Sequence, residues 1–209
     1  MVASALPARG VGVGVAGELR TDGAERGVTA PLPILFLDVD GPLNPFAAKL
    51  TRRPPGYVTH RLMPAGWTGT TWGRRPKPLR VWLNPDHGPA LAGLPVELVW
   101  ATTWEHEANR LIGPRIGLPP LPVVEWPEKE NLEADGLFWK TRHLAEYAAG
   151  RPFAWVDDQI TSADWRWCAE RYPAPSLLQP VDPRRGLSAG DFAAIARWAA
   201  LATAKAADG

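Results

Sequence analysis

One short segment near the start of the chain most limits what it can fold into. Four apolar residues, Ile34–Leu37, run directly into Asp38 and Asp40, which are followed by Gly41 and a proline. An uninterrupted apolar run that ends at a Gly-Pro break is typical of a strand buried on both faces of a parallel sheet. We therefore predict an α/β protein with both carboxylates at the carboxyl end of a strand, where open α/β sheets bind ligands.

Asp38 and Asp40 are separated by one residue. In a straight strand, this spacing places both side chains on the same face. Carboxylates held so close together repel each other, so they require a metal ion, a shared proton or both. A strand that simply ends in solvent is the alternative interpretation, and the residues further along the chain argue against it.

Further along the chain, four more polar residues stand at the ends of predicted strands or at the start of a predicted helix. A second buried strand is predicted just before Thr102, and a third just before Asp157 and Asp158, while Lys140 opens an alanine-rich helical segment between them. The carboxyl ends of parallel strands meet at one edge of a sheet. We therefore expect the strand-end residues to converge there, close to Asp38 and to the lysine.

This ordered set resembles the four motifs of the haloacid dehalogenase-like (HAD) superfamily, most of whose members are phosphohydrolases. The resemblance covers roughly residues 32–200 and implies a three-layer Rossmann-like core with a mainly parallel central sheet. The chain departs from the family pattern at Pro42, where a threonine or valine is usual after Gly41. Proline lacks a backbone N–H donor, so one contact near the site is lost.

The resemblance assigns a role to each residue of the first three motifs. Asp38 is the nucleophile that forms an aspartyl-phosphate, and Asp40 is the general acid for the leaving alkoxide and then the base that activates water. Thr102 and Lys140 bind the substrate phosphate. The predicted activity is that of a phosphoric monoester hydrolase on a phosphorylated substrate.

The implied cofactor is Mg²⁺, which takes hard oxygen ligands. The resemblance gives it the carboxylate of Asp38, the main-chain carbonyl of Asp40 and one carboxylate of the Asp157-Asp158 pair. The sequence does not decide between these two neighbours. We favour Asp157 as the direct ligand because it directly ends the strand, with Asp158 in an outer position that orients a ligand water or Lys140.

Residues 42–86 separate the first motif from the first full helix. They contain two short alternating segments, at 57–62 and 79–83, that predict strands joined by a loop. The insertion is too short for a helical cap domain, so we expect a β-hairpin flap over the carboxylate edge. The insertion carries a dense positive charge, which predicts either a solvated loop face or contact with an anionic substrate. The residues that supply this charge are Lys49, Arg52, Arg53, Arg61, Arg74, Arg75, Lys77 and Arg80.

The remainder of the chain alternates strands and helices, as in a parallel sheet with right-handed crossovers. The expected organisation is a disordered leader at 1–30, a single domain at 31–204 and a frayed end at 205–209. The elements predicted after the flap are helices at 87–93, 105–112, 140–149, 161–172 and 188–204 and strands at 96–101, 122–125, 153–156 and 176–178.

Composition limits the classes of function. The 23 basic and 22 acidic residues give a net charge of +1, so a nucleic-acid partner is possible but not favoured. A single cysteine excludes an internal disulfide framework, and no apolar run is long enough to span a membrane, so a cytoplasmic location is expected. The rival to a phosphatase is a non-catalytic HAD-fold protein that binds a partner or nucleic acid; a phosphotransferase or a dehalogenase fits less well.

Overall fold

The computed structural model describes residues 31–67, 76–127 and 135–207. The predicted leader at 1–30 and the flap residues Arg74 and Arg75 lie outside this range. In chain order, the elements are β1 (Ile34–Leu37), β2 (Val58–Leu62), β3 (Leu79–Leu83), α1 (His87–Ala92), β4 (Glu97–Trp100), a π-helix (Ala108–Ile112), α2 (Gly113–Ile116), α3 (Lys140–Ala148), β5 (Phe153–Asp157), α4 (Ser162–Arg171), β6 (Ser176–Pro180) and α5 (Ala189–Ala207).

A four-stranded sheet in the order β4-β1-β5-β6 forms the centre of the fold. Every pairing within it is parallel. β1 has a neighbour on both sides and all four of its residues are buried, which confirms the buried parallel strand predicted from its apolar sequence. The carboxyl ends of β4, β1 and β5 consequently lie side by side at one edge of the sheet.

Helices cover both faces of this sheet. Leu35 and Leu37 of β1 belong to a buried cluster with residues of α1, the π-helix and α5. Ile34 and Phe36, whose side chains alternate to the other face, belong to a cluster with residues of α3 and α4. The described part of the chain is thus a mixed α/β fold, compatible with the Rossmann-like architecture that the sequence predicted.

Two predicted elements differ in the structure. The helix expected at 105–112 contains a π-helix, and Pro114 explains part of the change because it has no N–H to donate to the carbonyl of Arg110. The prediction of a strand at 122–125 was wrong, because in this segment only an isolated bridge joins Val123 to Trp100. The prolines around it lack the backbone donors that a longer ladder needs.

β2 and β3 form a separate two-stranded antiparallel sheet within the inserted segment, with Val58 opposite Leu83 and Leu62 opposite Leu79. Leu62, Val81 and Leu83 are buried in the same cluster as one face of β1, so this small sheet packs on the core. Both strands were predicted from their sequence alternation. In the described residues, no helix is long and apolar enough to cross a membrane.

Candidate active site

Lys140 joins two aspartates at the edge of the central sheet. Asp38 follows β1 and Asp157 ends β5, and these strands are neighbours in register. The Lys140 Nζ donates to Asp38 Oδ2 at 3.1 Å, to Asp157 Oδ2 at 2.8 Å and to the carbonyl oxygen of Ala101 at 2.9 Å. Lys140 is 2% exposed, and all three of its ammonium hydrogens have acceptors. The structure therefore brings together three of the residues that the sequence singled out.

Acidic charge exceeds basic charge at this edge. Burial opposes the charge on Lys140, yet the carboxylates of Asp38 and Asp157 raise its pKa above the ordinary value. Burial raises the pKa of Asp38 against the pull of Lys140. Burial together with a neighbouring carboxylate raises the pKa of both Asp157 and Asp158 to about 6. One ammonium thus faces three carboxylates, and the group as a whole favours a further cation.

Asp40 is fixed by hydrogen bonds to both of its carboxylate oxygens. The Asn44 Nδ2 donates to Oδ1 at 2.7 Å, and the Trp104 Nε1 donates to Oδ2 at 2.8 Å. Asn44 is itself buried, and its Oδ1 accepts the backbone N–H of Trp82 in β3 at 3.0 Å. The orientation of the Asp40 carboxylate therefore depends on the inserted sheet as well as on the core.

The turn after β4 brings Trp104 to Asp40. Thr102 is fully buried, and its Oγ1 accepts the backbone N–H of Trp104 at 3.3 Å. Its side chain is close enough to Asp38 to lower the pKa of that carboxyl, against the larger effect of burial. Glu105 donates its N–H to the carbonyl of Thr102 at 3.1 Å and adopts a left-handed backbone with φ of 49°. Such a conformation is costly for a residue other than glycine and is frequent at functional sites.

Gly41 allows Asp158 to approach the first strand. Gly41 has φ of +92°, and a Cβ placed there would lie 2.6 Å from the Cβ of Asp158. Both the backbone conformation and the close contact require glycine. The next residue, Pro42, accepts the N–H of Leu187 on its carbonyl at 2.8 Å, which ties the turn to the C-terminal part of the chain.

We expect Gly41→Ala to displace the carboxylate of Asp158. If these carboxylates hold the Mg²⁺ that the sequence predicts, the affinity for the ion should fall about tenfold or more, since a moved carboxylate no longer reaches an ion that its neighbours bind. Isothermal titration with Mg²⁺ measures the change. Gly117→Ala is the matched control, because Gly117 also has positive φ, +78°, and nothing lies within 4 Å of the position that an added Cβ would take. Equal losses in the two variants would mean that backbone strain alone is responsible.

Three of the aspartates could share one metal ion. Asp38, Asp157 and Asp158 each offer a carboxylate oxygen, and these oxygens all lie within 4.8 Å of one another. Hard oxygen donors of this type suit Mg²⁺. The excess of negative charge beside Lys140 also suits a divalent cation, so the residues present fit the group that the sequence implied.

Two clefts open next to Asp40. The larger, of about 630 Å³, is lined by Asp40, Pro64, Ala65, Gly66, Trp67, Leu79, Thr103, Trp104, Glu105 and Glu107. The smaller, of about 300 Å³, shares Asp40, Leu79 and Trp104 with it and adds Arg80. Neither cleft is lined by Asp38 or Lys140. Asp40, two residues after Asp38, is therefore the predicted catalytic residue that both clefts share.

Apart from Arg80, the basic residues of the insertion that the structure describes do not line these clefts. Arg52 and Arg53 are exposed, and Arg53 donates to the hydroxyl of Thr59 at 3.2 Å. Among the described residues, Arg80 is the one basic side chain on the walls of the two clefts. Contact between the other arginines of the insertion and an anionic substrate therefore remains a prediction. Two of these arginines, Arg74 and Arg75, lie outside the described residues.

Two residues that hold Asp40, Asn44 and Trp104, are not among those that the sequence singled out. Asn44 lies in a turn where asparagine is common for purely local reasons, so nothing in its neighbourhood signals contact with Asp40. Asn109, which follows Thr102 in the next helical segment, accepts the Trp100 indole N–H at 2.8 Å and bonds the backbone of Leu121. Its role is to hold the helix that follows β4 against the sheet.

Comparisons of the chain with protein families, with curated proteins and with solved structures found no match. The resemblance to the HAD superfamily accordingly stays a prediction from the motifs.

Proposed function

We propose that this protein is a Mg²⁺-dependent phosphoric monoester hydrolase of the HAD type, with Asp38 as its nucleophile. The observation that carries the proposal is the buried contact of Lys140 with both Asp38 and Asp157, beside a third carboxylate on Asp158. A buried ion pair is costly unless its charges are balanced. Here the carboxylates outnumber the one ammonium, so a divalent cation would balance the excess negative charge and would allow an anionic substrate to approach Lys140.

The proposed steps are those that the resemblance to the HAD superfamily implies. Asp38 attacks the phosphorus, the ester P–O bond breaks, and Asp40 gives a proton to the leaving alkoxide. A water molecule then attacks the aspartyl-phosphate, Asp40 takes its proton, and inorganic phosphate leaves as the Asp38 carboxylate is restored. Lys140 and Thr102 both contact Asp38 and would neutralise or hydrogen-bond the phosphoryl oxygens next to it.

The metal would be held by Asp38, the main-chain carbonyl of Asp40 and the Asp157-Asp158 pair, and it would screen the negative charges that otherwise keep a carboxylate from a phosphate dianion. The two neighbours stand together at the end of β5, and we choose between them by the hydrogen bonds of Asp157. Its Oδ2 accepts from the Lys140 ammonium and the Trp155 indole, and its Oδ1 accepts from the N–H of Gln159. Asp157 thus has fewer lone pairs left for a metal than Asp38, whose two oxygens accept one bond each, from the N–H of Val39 and from Lys140. We therefore assign the direct ligand to Asp158 and the positioning of Lys140 to Asp157, the reverse of the preference drawn from sequence.

We expect Asp158→Asn to weaken Mg²⁺ binding more than Asp157→Asn does, because the first removes a ligand charge and the second changes a group already bonded within the protein. A loss of about tenfold or more in Asp158→Asn is typical for a ligand or its close support. Titration calorimetry on both variants measures the two affinities. The opposite ranking would restore Asp157 as the direct ligand.

Mg²⁺ should stabilise the protein more at about pH 7.5 than at about pH 5. The pKa of Asp157 and of Asp158 is about 6 in the folded protein against an ordinary 3.8, so the folded state binds extra protons in this range. The stability that these protons provide is lost as the pH rises through about 6, and Mg²⁺ then binds the ionised carboxylates. Saturating Mg²⁺ near pH 7.5 should raise Tm by about 5–10 °C.

Differential scanning calorimetry with and without Mg²⁺ at both pH values checks this expectation. In Asp158→Asn the Mg²⁺-dependent rise in Tm should be reduced at the higher pH. A rise of the same size at both pH values would contradict metal binding at these carboxylates.

The proposed function is tested by the turnover of 4-nitrophenyl phosphate with and without Mg²⁺. Release of nitrophenol only when the metal is present supports a metal-dependent hydrolase. If Mg²⁺ binds but no ester is hydrolysed under any condition, the hydrolase is rejected in favour of the alternative, a binding protein that uses the same carboxylate edge.

A further inference from the structure

The larger cleft beside Asp40 has walls that are fixed and aromatic. Trp67 and Trp104 both line it. The indole N–H of Trp104 donates to Asp40 at 2.8 Å, and that of Trp67 donates to the carbonyl of Lys77 at 3.0 Å. Each indole N–H is therefore already bonded within the protein, so the part of either ring that a ligand in the cleft can contact is apolar surface; Trp104 also packs partly against the core.

The loop that carries Trp67 is tied to the core. Glu107 accepts the backbone N–H of Ala65 at 2.9 Å, and Arg110 donates to the carbonyl of Met63 at 3.2 Å. Glu107 and Arg110 also pair with each other. These bonds link the residues before Trp67 to the segment after β4, so the two sides of the cleft are in place before a ligand arrives, and little ordering cost remains on binding.

The position of Asp40 identifies which part of a substrate the cleft receives. Asp40 lines the cleft, whereas Asp38 and Lys140 are buried and do not line it. In the proposed reaction Asp40 gives its proton to the oxygen of the leaving alcohol. The cleft next to Asp40 consequently holds the leaving alcohol, while the phosphoryl group lies against the buried residues.

We infer that the substrate is a phosphate monoester of an alcohol that carries a flat aromatic or heteroaromatic ring, which stacks on Trp67 and Trp104 in this cleft. The inference rests on the proposed function and adds the substrate class to it. Stacking of a planar ring on an aromatic side chain strengthens binding by about fivefold to 100-fold, so it is large enough to select such alcohols over saturated ones of similar size.

A matched pair of substrates tests the inference: 2-(2-naphthyl)ethyl phosphate and its decahydronaphthyl counterpart. Both release a primary alcohol of nearly the same acidity and carbon skeleton, so the chemical step is equally difficult and only the flat ring differs. We expect kcat/KM to favour the naphthyl ester by about fivefold or more.

Trp67→Ala should lower this preference by about threefold or more, and Trp67→Phe should keep most of it, since phenylalanine retains a ring to stack on. Trp165→Ala is the control, because Trp165 lies exposed on α4 and lines neither cleft, and it should keep the full preference. Equal kcat/KM for the two esters in the unchanged protein, or a preference that Trp67→Ala leaves intact, overturns the inference.

The cleft and the proposed function can fail separately. Binding of the two free alcohols, 2-(2-naphthyl)ethanol and its saturated counterpart, is measured by NMR titration and needs no chemistry. If no ester is hydrolysed but the naphthyl alcohol binds more tightly in a manner that depends on Trp67, the hydrolase is rejected and the aromatic cleft is upheld. If esters are hydrolysed without regard to the ring, the hydrolase is upheld and the aromatic cleft is rejected.

Discussion

Asp38→Asn is expected to abolish hydrolysis of phosphate monoesters, with a loss of at least about 10³-fold in kcat, because removal of a catalytic nucleophile has effects of this order or larger. The amide keeps the shape of the side chain but is a far weaker nucleophile and carries no charge for a metal. Lys140 keeps its bonds to Asp157 and Ala101, so the fold should be retained.

The measurement is steady-state turnover of 4-nitrophenyl phosphate, with circular dichroism to confirm folding. Glu170→Gln is a suitable control, since Glu170 is exposed near the end of α4 and lines neither cleft, and its turnover should match that of the unchanged protein. Hydrolysis by Asp38→Asn within about tenfold of the unchanged protein would refute a covalent mechanism through this residue.

Lys140→Met should be the most destabilising of the substitutions considered. Lys140 is 2% exposed, and its ammonium group is bonded to two buried carboxylates and one carbonyl. Removing one partner of a buried charge pair costs about 3–5 kcal/mol, because the other charges remain without compensation. Methionine fills a similar volume, so the loss reports on charge and hydrogen bonding more than on packing.

Urea unfolding near pH 7.5 measures this loss, and Lys49→Met, at an exposed lysine, should leave the free energy of unfolding within about 0.5 kcal/mol of the original. Mg²⁺ should recover part of the stability in Lys140→Met, since a divalent cation supplies positive charge to the same carboxylates. An unchanged free energy of unfolding in Lys140→Met would show that Lys140 does not hold the aspartates together.

Local sequence was enough to predict the strands whose ends carry the residues of the site. The apolar runs before Asp38, Thr102 and Asp157 specify buried parallel strands, because residues with no polar face must be covered on both sides. Parallel pairing then brings the strand ends to one edge without any detail of packing. The approach of Lys140 to that edge followed from its place in the order of motifs, and the structure gives it two of those aspartates as partners.

The details of the site depend on contacts between residues far apart in the chain. Trp104 donates to Asp40 across 64 positions, and no local pattern encodes such a pair. The choice between Asp157 and Asp158 likewise rests on which neighbours donate to each carboxylate, since both stand at the same strand end.

The sequence by itself determined which residues end the strands, and so which chemical groups can meet, because hydrophobic periodicity is a local property that burial enforces. The tertiary structure alone decided how those groups are held. The small inserted sheet orients Asp40 through Asn44, Gly41 leaves room for Asp158, and two fixed indole rings form a cleft beside the site. Such arrangements depend on how segments far apart in the chain pack against each other, and this packing cannot be predicted from any one segment alone.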